Sequence, residues 1–140
     1  MFRASTGAYE RTLGGPDVFG EVYGMCVKVS TDELFLANYG KDKIDVYRAS
    51  NGAHVRSFGA SGAGAAQFSA PACVCLSPNG EDLYVTEWRG ARVQVLRAAD
   101  GAHVRNLDFK FSSPYGICTT SDGQLLVGDS QHHRVCAFGL

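Results

Sequence analysis

The sequence lacks a long apolar run and a strong excess of charge of either sign. No stretch approaches the ~20 consecutive apolar residues that span a bilayer, and residues 1–11 lack the continuous apolar segment of a secretory signal. The formal net charge is only −1 at pH 7, so the chain has no overall attraction to nucleic acid or anionic lipid. We therefore expect neither a membrane-spanning protein nor a signal-bearing precursor, and any nucleic-acid contact would need a local patch.

The sequence also lacks helical periodicity and a catalytic constellation. No segment keeps apolar residues at 3.6-residue spacing between capping residues, so we expect almost no helix. Gly62-Ala-Gly64 has only two of the three glycines of a dinucleotide-binding loop, and no helix is expected after it. We predict no catalytic residue and no cofactor.

A recurring stretch is the main feature that the sequence does contain. Residues 48–56 read Arg-Ala-Ser-Asn-Gly-Ala-His-Val-Arg, residues 97–105 read Arg-Ala-Ala-Asp-Gly-Ala-His-Val-Arg, and a weaker copy begins at Arg3. A spacing of roughly 45 residues indicates a repeated supersecondary unit. The segments between the copies also align. They are short, rich in Val, Ile, Leu, Phe and Tyr, and bounded by Gly, Asn, Asp or Ser, which is typical of strands.

Tight turns predict how these strands pair. The Asn-Gly and Asp-Gly pairs at 51–52, 79–80 and 122–123 tolerate the positive φ of hairpin turns, so strands should pair with their sequence neighbours as antiparallel meanders. Four such strands in roughly 45 residues describe one blade of a β-propeller. The predicted fold is therefore all-β: a β-propeller segment of four-stranded antiparallel blades, whose strands we label a to d from the axis outward.

The predicted blades leave a ring incomplete. We expect strands c and d of one blade at 1–14, full blades at 22–59 and 71–108, and a blade without strand d at 114–140. A phenylalanine precedes each strand a, and we expect it to fill the gap between adjacent blades: Phe19, Phe68 and Phe111.

Two stretches carry a family resemblance. The run from Pro114 to Phe138, and the Gly-rich linker ending in Gln-Phe-Ser-Ala-Pro at residues 67–71, resemble NHL repeats. His132 stands where that family has Asn before His-Arg. The resemblance implies a six-bladed propeller, of which this chain supplies about half. It also implies a recognition role, and some members with similar propellers bind single-stranded RNA.

Recurring charges predict contacts within each blade. Strand b ends at Asn38, Glu87 or Asp129, and a cation follows five residues later in each case: Lys43, Arg92 and Arg134. These residues should face each other across the b–c hairpin, so we expect structural, charge-assisted contacts there.

The b–c turns are the strongest candidate for a binding site. They lie at one end of a propeller, and they combine cations with aromatic residues that can stack on bases or grip a peptide. The candidate ligand-binding residues are Tyr39, Lys41, Lys43, Trp88, Arg89, Arg92, His132, His133 and Arg134.

Three functions follow from this candidate site. The first is a non-enzymatic platform that binds a protein or peptide through the b–c turns. The alternative is single-stranded RNA binding by the same face. A third is a propeller lyase or hydrolase, which would need metal ligands or an acid/base pair at the channel mouth, and no trio of central histidines is present.

The cysteines favour packing over metal binding. Cys26, Cys75 and Cys118 share one repeat position on strand a, where a small apolar residue would pack between blades. Structural zinc usually takes C-x2-C pairs, which are absent here, so we predict no metal site. The odd total of five cysteines favours reduced thiols and a cytoplasmic location.

Ring closure leaves two interpretations open. Two copies could form a homodimer that closes six blades, each lending residues 8–13 as a strand d to the other, because exposed strand edges favour pairing. Alternatively, the chain is a piece of a longer protein whose further blades and domains lie outside this sequence.

Overall fold

The computed structural model describes residues 8–140 and shows an all-β chain. Its helical content there is one short α-helix, α1 (Pro16–Phe19), and three single 3-10 turns. No helix within this part of the chain has the length and apolar character needed to cross a membrane. The strands are β1 (Val22–Lys28), β2 (Glu33–Asn38), β3 (Lys43–Arg48), β4 (His54–Phe58), β5 (Pro71–Leu76), β6 (Asp82–Glu87), β7 (Arg92–Arg97), β8 (His103–Asn106), β9 (Pro114–Thr119), β10 (Gln124–Asp129) and β11 (Arg134–Gly139).

The strands form three antiparallel meanders, which we call blade I (β1–β4), blade II (β5–β8) and blade III (β9–β11). Each strand pairs with its neighbour in sequence, as the turn dipeptides predict. The glycines of those dipeptides have positive φ: 75° at Gly52, 71° at Gly80 and 84° at Gly123. The fold class is confirmed: the sheets are propeller blades that do not close into a ring.

The blades stack face to face through apolar side chains. Between blades I and II, Phe35 and Ile44 meet Val74 and Leu83 in one buried cluster. The linker residue Phe68 is completely buried in that cluster, so it fills the gap between blades as predicted. Phe111 lies in the corresponding cluster between blades II and III. Burying a side chain of this size contributes ~1.5–3 kcal/mol, so these seams hold the blades as one stack.

Residues 8–14 differ from the predicted strand d. Residues 1–7, which include the predicted strand c, lie outside the described residues. Within residues 8–14 only Tyr9 forms an isolated β-bridge, so the strand expected over 8–13 is not formed there. Instead Leu13 and Phe19 pack on Leu34 and Leu36. The segment therefore lies on part of the end face of blade I, because Leu13 and Phe19 are partly buried from water there.

The two end faces of the stack stay partly uncovered. Met25 on blade I is 60% exposed, whereas Val74, its equivalent in blade II, is 1% exposed. On the opposite end, Val135 of blade III is 70% exposed, whereas its equivalents Ile44 and Val93 are 0% exposed. Equivalent positions thus lie in a blade–blade seam inside the stack and at the surface at its ends.

Candidate binding face

The three b–c turns share one backbone geometry. Their central residues are 39–42, 88–91 and 130–133, and each turn ends in a non-glycine residue with left-handed backbone: Asp42 (φ 48°), Ala91 (φ 52°) and His133 (φ 51°). The repeated conformation brings residues of equal repeat position to the same end of each blade. We call this end of the stack the turn face.

Buried carboxylates paired with partly exposed arginines anchor two of these turns. Arg92 Nε lies 2.7 Å from Glu87 Oε1, and Arg134 Nη2 lies 3.0 Å from Asp129 Oδ2. Each pair joins residues that face each other in the strand register, as the spacing predicts. Arg92 also donates to the carbonyls of linker residues 63, 64 and 67. These arginines therefore hold the turn against the preceding linker.

In blade I the cation pairs with a different residue. Lys43 faces Asn38 in the register, but its Nζ lies 3.0 Å from Asp45 Oδ1. Asn38 Nδ2 in turn donates to Asp45 Oδ2 at 2.8 Å. The predicted contact of Lys43 with Asn38 is therefore wrong. Asn38 carries no charge, so the ammonium turns to the carboxylate on the same face of its own strand.

Blades I and II hold the same buried pair with its two groups exchanged. In blade II, Gln94 Nε2 donates to Glu87 Oε1 at 2.6 Å, whereas in blade I the amide of Asn38 lies on strand b and the acid of Asp45 on strand c. Burial raises the pKa of Asp45, but hydrogen bonds from neighbouring side chains, with Ser57 first, outweigh it and hold the pKa below its ordinary value. One acid and one amide thus occupy this place in both blades, and either strand can carry the acid.

Blade III has no such partner, because Cys136 occupies the position of Gln94. Asp129 instead accepts hydrogen bonds from the backbone amides of Ser112 and Ser113, at 3.1 and 2.8 Å, and from His132 Nδ1 at 2.8 Å. Burial raises the pKa of Asp129, but these donors and Arg134 outweigh burial and hold it well below its ordinary range. His132 and Arg134 are therefore both engaged by a structural carboxylate.

Four aromatic side chains cluster on the turn face. Tyr23 and Tyr39 have ring centroids 4.9 Å apart, Tyr23 and Tyr115 6.1 Å, and Tyr39 and Trp88 6.2 Å. Tyr23, Trp88 and Tyr115 are 55%, 38% and 37% exposed. Ring pairs of this kind contribute about 0.5–1.5 kcal/mol beyond area burial. The rings of this aromatic cluster thus hold one another in place, while part of their surface stays accessible to a ligand.

Arg89 lies beside the aromatic cluster. Its Cζ is 5.8 Å from the Tyr39 ring centroid and 5.7 Å from the Trp88 ring centroid. Both distances are within the range of cation–π attraction. The structure thus brings together Tyr39, Trp88 and Arg89, three of the predicted candidates from two different blades.

Tyr23 and Tyr115 were missed by the sequence reasoning. Both precede a glycine at the start of a strand a, in β1 and β9, and Ala72 holds the equivalent place in β5. β5 packs between β1 and β9, and the small Ala72 leaves room for the two tyrosines to approach each other. The repeated Tyr-Gly pair was the available signal.

The remaining candidates lie apart from the aromatic cluster. Lys41 and His133 are exposed on the turn face. The other four contact the structural carboxylates described above: Lys43, Arg92, His132 and Arg134. Within residues 8–140 the side chain of Lys41 makes no ion pair or hydrogen bond, so it keeps its charge available for a ligand, whereas the four paired residues do not.

Two of the three repeat-equivalent cysteines, Cys26 and Cys75, lie in the seams between blades, whereas the packing predicted for Cys118 is wrong because its side chain is exposed at the end of the stack. Cys26 packs against the cluster between blades I and II, and Cys75 lies in the cluster between blades II and III. Burial, and next the neighbouring Cys73, raise the pKa of Cys26 to about 12. Burial likewise raises the pKa of Cys75, so both thiols stay protonated at neutral pH and act as small apolar side chains. Within residues 8–140, no three His, Cys, Asp or Glu side chains are grouped so that they could hold a metal ion.

Comparisons with known proteins agree with this fold. Residues 111–138 match the NHL repeat, and none of the curated proteins is detectably similar in sequence. Three solved β-propeller structures superpose on the chain. A chain of the nidogen/laminin complex gives a TM-score of 0.67 at 15% identity, covering 84% of this chain and 42% of that one. The WD40 β-propeller domain of Doa1 gives 0.65 at 20% identity, covering 84% and 36%. U3-55K gives 0.66 at 14% identity, covering 93% and 42%.

The chain is thus a β-propeller segment of about three blades, in which residues 111–138 match the NHL repeat. It spans less than half the length of each of these three structures. At these identities the likeness shows the fold alone.

Proposed function

We propose that this propeller segment is a non-enzymatic platform that binds a protein or peptide through its turn face. The observation that carries the proposal is the aromatic cluster of Tyr23, Tyr39, Trp88 and Tyr115, with Arg89 beside it. Tyr, Trp and Arg are the residue types that supply most of the binding free energy at protein interfaces. NHL-type propellers commonly serve as protein-interaction domains, which agrees with this interpretation.

The rigidity of the face supports the proposal. Binding costs free energy when mobile side chains must be ordered, at about 0.5–1.5 kcal/mol for each one. Here the rings already pack on one another, and Glu87 and Arg92 fix the turn that carries Trp88. A ligand would therefore meet a surface that is already ordered.

Charge favours a peptide over single-stranded RNA. RNA binding relies on several cations that neutralise successive phosphates. On the turn face, Lys43, Arg92 and Arg134 are paired with buried carboxylates. Arg89, Lys41 and Lys110, whose carbonyl accepts from Arg134, remain as cations without an ion pair among the described residues, which is few for a nucleic-acid track.

The buried carboxylates support a role without catalysis. Asp129 accepts hydrogen bonds from four residues, and its lowered pKa keeps it ionised at neutral pH. A general acid or base needs a pKa near the working pH. Asp129 therefore fits a structural role in the proposed platform.

Display selection tests the platform. The purified protein and its Trp88→Ala variant are immobilised and panned against a library of random dodecapeptides, with Arg105→Gln on the outer strand β8 as the matched surface control. We expect peptides that bind the protein and the Arg105→Gln variant but not Trp88→Ala. Recovery of the same peptides on all three would contradict the proposal.

A salt titration distinguishes single-stranded RNA binding from peptide binding. Fluorescence anisotropy of a labelled single-stranded decaribonucleotide is measured at low and at physiological salt. Tight binding that falls steeply with salt and with Lys41→Glu or Arg89→Glu would favour RNA as the ligand. The peptide proposal predicts weak RNA binding that neither substitution changes strongly.

We also propose that two copies close the propeller as a homodimer. The support is the pair of uncovered end faces, where Met25 and Val135 are exposed although their equivalents are buried in seams. The exposed apolar side chains at the end of blade I, Met25 and Val27, would pack on the end face of blade III of a second copy. Two copies would also approach the length of the propellers that this chain half covers.

Sedimentation tests the homodimer. We expect a concentration-dependent dimer that Val135→Asp converts to a monomer, whereas Val104→Asp on the outer strand β8 leaves it intact. A protein that stays monomeric at high micromolar concentration would contradict the proposal and favour further blades from elsewhere.

We propose a cytoplasmic location on the basis of the thiols. All five cysteines are unpaired, and reduced thiols persist in reducing compartments. Mass spectrometry of the protein from its native source should find no intramolecular disulfide, and a stable disulfide there would contradict this location.

A further inference from the structure

The turn face contains one arginine that the fold does not use. Arg92 and Arg134 each donate to a buried carboxylate and to linker carbonyls. Arg89 has neither a hydrogen bond nor an ion pair to any residue between 8 and 140, and its contacts are the two rings of Tyr39 and Trp88. A guanidinium has five N–H donors in a planar fork. In Arg89 that fork is positioned by aromatic rings and has no acceptor within the described chain.

A cleft of about 540 Å³ opens beside Arg89. The linker residues 61–63, Ser69 and the Glu87–Arg92 pair line it together with Arg89. Because Glu87 and Arg92 neutralise each other, Arg89 is the uncompensated charge at this cleft. The Ser69 hydroxyl also has no hydrogen bond to the described residues and adds a neutral donor to the lining.

We infer that this cleft binds an oxyanion of the peptide ligand, a carboxylate or a phosphate. The inference rests on the proposed platform and deepens it by naming the ligand chemistry. Arginine matches both groups because its parallel N–H donors can bind two oxygens at once. The adjoining rings would contact an apolar residue next to the anionic one, so the ligand class is a peptide with an acidic or phosphorylated residue beside an apolar one.

The sequences of selected peptides test this inference. Random dodecapeptides are panned on the protein, on Arg89→Gln, and on Arg105→Gln as the matched arginine control. We expect Asp and Glu to be enriched on the protein and on Arg105→Gln, and this enrichment to disappear on Arg89→Gln. Peptides that depend on Trp88 but show no acidic enrichment, and that gain no affinity when phosphoserine is placed beside their apolar residue, would overturn the oxyanion site and leave the platform standing. A failure to recover any Trp88-dependent peptide would instead reject the platform itself.

A matched peptide series then separates the two sources of the oxyanion. The best selected peptide is synthesised with Glu, phosphoserine or Gln at the enriched position, and binding is followed through the emission of Trp88, the single tryptophan of the chain. We expect the Glu or the phosphoserine peptide to bind at least about tenfold more tightly than the Gln peptide, as a charge-assisted hydrogen bond allows. On Arg89→Gln the ratio should fall to near one.

Two outcomes of the same series would overturn the site. Equal affinities for all three peptides on the wild-type protein would show that no oxyanion is recognised. Displacement of the peptide by oligouridine RNA, with the same dependence on Arg89, would assign the cleft to nucleic acid instead.

Discussion

Because blades I and II exchange the acid and the amide of one buried pair, the effect of substituting Glu87 on the free energy of unfolding can be predicted. Replacing Glu87 with Gln keeps the size of this buried side chain but removes its charge and turns one acceptor oxygen into a donor group. The carboxylate accepts from Arg92 Nε at 2.7 Å, from Gln94 Nε2 at 2.6 Å and from the Ser69 amide at 2.8 Å. The amide side chain of the Glu87→Gln variant has only one oxygen for these three donors.

The structure sets the size of the effect. A lost hydrogen bond to a buried charged group costs about 1.5–3 kcal/mol. Arg92 keeps its contacts with the linker carbonyls, which reduces the loss at that residue. We therefore expect Glu87→Gln to lower the free energy of unfolding by about 2–4 kcal/mol, a large part of the ~5–15 kcal/mol of a typical domain.

A second substitution should couple favourably with the first, although Gln94→Glu also removes the donor to the Gln67 carbonyl. Gln94→Glu in the Glu87→Gln background recreates the arrangement of blade I, where the acid lies on strand c as Asp45 and pairs with Lys43. The amide introduced on strand b is expected to donate to the new carboxylate on strand c, and Arg92 to pair with that carboxylate. We expect a favourable coupling free energy of about 1 kcal/mol or more in the double-mutant cycle.

Urea denaturation of the four proteins measures this cycle. Gln94→Glu alone should destabilise the protein, because it places two carboxylates together in a buried site. The reasoning would be refuted if Glu87→Gln cost less than about 0.5 kcal/mol, or if the double variant were as unstable as the sum of the two single ones.

Three further predictions concern pH, backbone and thiols. The pKa of Asp129 is lower in the folded state than in the unfolded chain, so its stabilising effect is present above about pH 4 and is lost as the pH falls towards the folded value; Asp129→Asn should make the urea midpoints at neutral and acidic pH more alike. Gly59→Ala should lower the melting temperature far more than Gly116→Ala, because a Cβ at Gly59 overlaps the Phe68 ring at φ 94° whereas nothing lies within 4 Å of one at Gly116; equal shifts would contradict the packing of the linker. Cys26, whose pKa is raised to about 12, should react with a thiol reagent in mild alkali far more slowly in the folded than in the denatured protein, as followed by peptide mass spectrometry.

The sequence was enough to predict the blades because their signals are local and repeated. Hairpin dipeptides such as those containing Gly52 and Gly80 act through their own φ angles, and the copies of one pattern support one another in the assignment of each strand. The Glu87–Arg92 and Asp129–Arg134 contacts followed from strand register alone. Such features do not depend on how the blades are arranged around the axis.

The contacts that the sequence did not predict depend on which residues are neighbours in three dimensions. Lys43 contacts Asp45 because the facing residue, Asn38, is neutral, and only the arrangement of all three side chains decides this. Tyr23 and Tyr115 belong to blades I and III, far apart in sequence, and approach each other across blade II. Their proximity follows from blade stacking, which no single repeat encodes.

The emission of Trp88 reports whether a ligand binds at the turn face, because this single tryptophan lies in the aromatic cluster. A selected peptide is titrated into the protein while calorimetry records binding of the same samples. We expect the emission to change with the same affinity and to saturate with the calorimetric signal, and Tyr39→Ala to weaken both. Calorimetric binding that leaves the emission of Trp88 unchanged would place the ligand elsewhere and contradict the account.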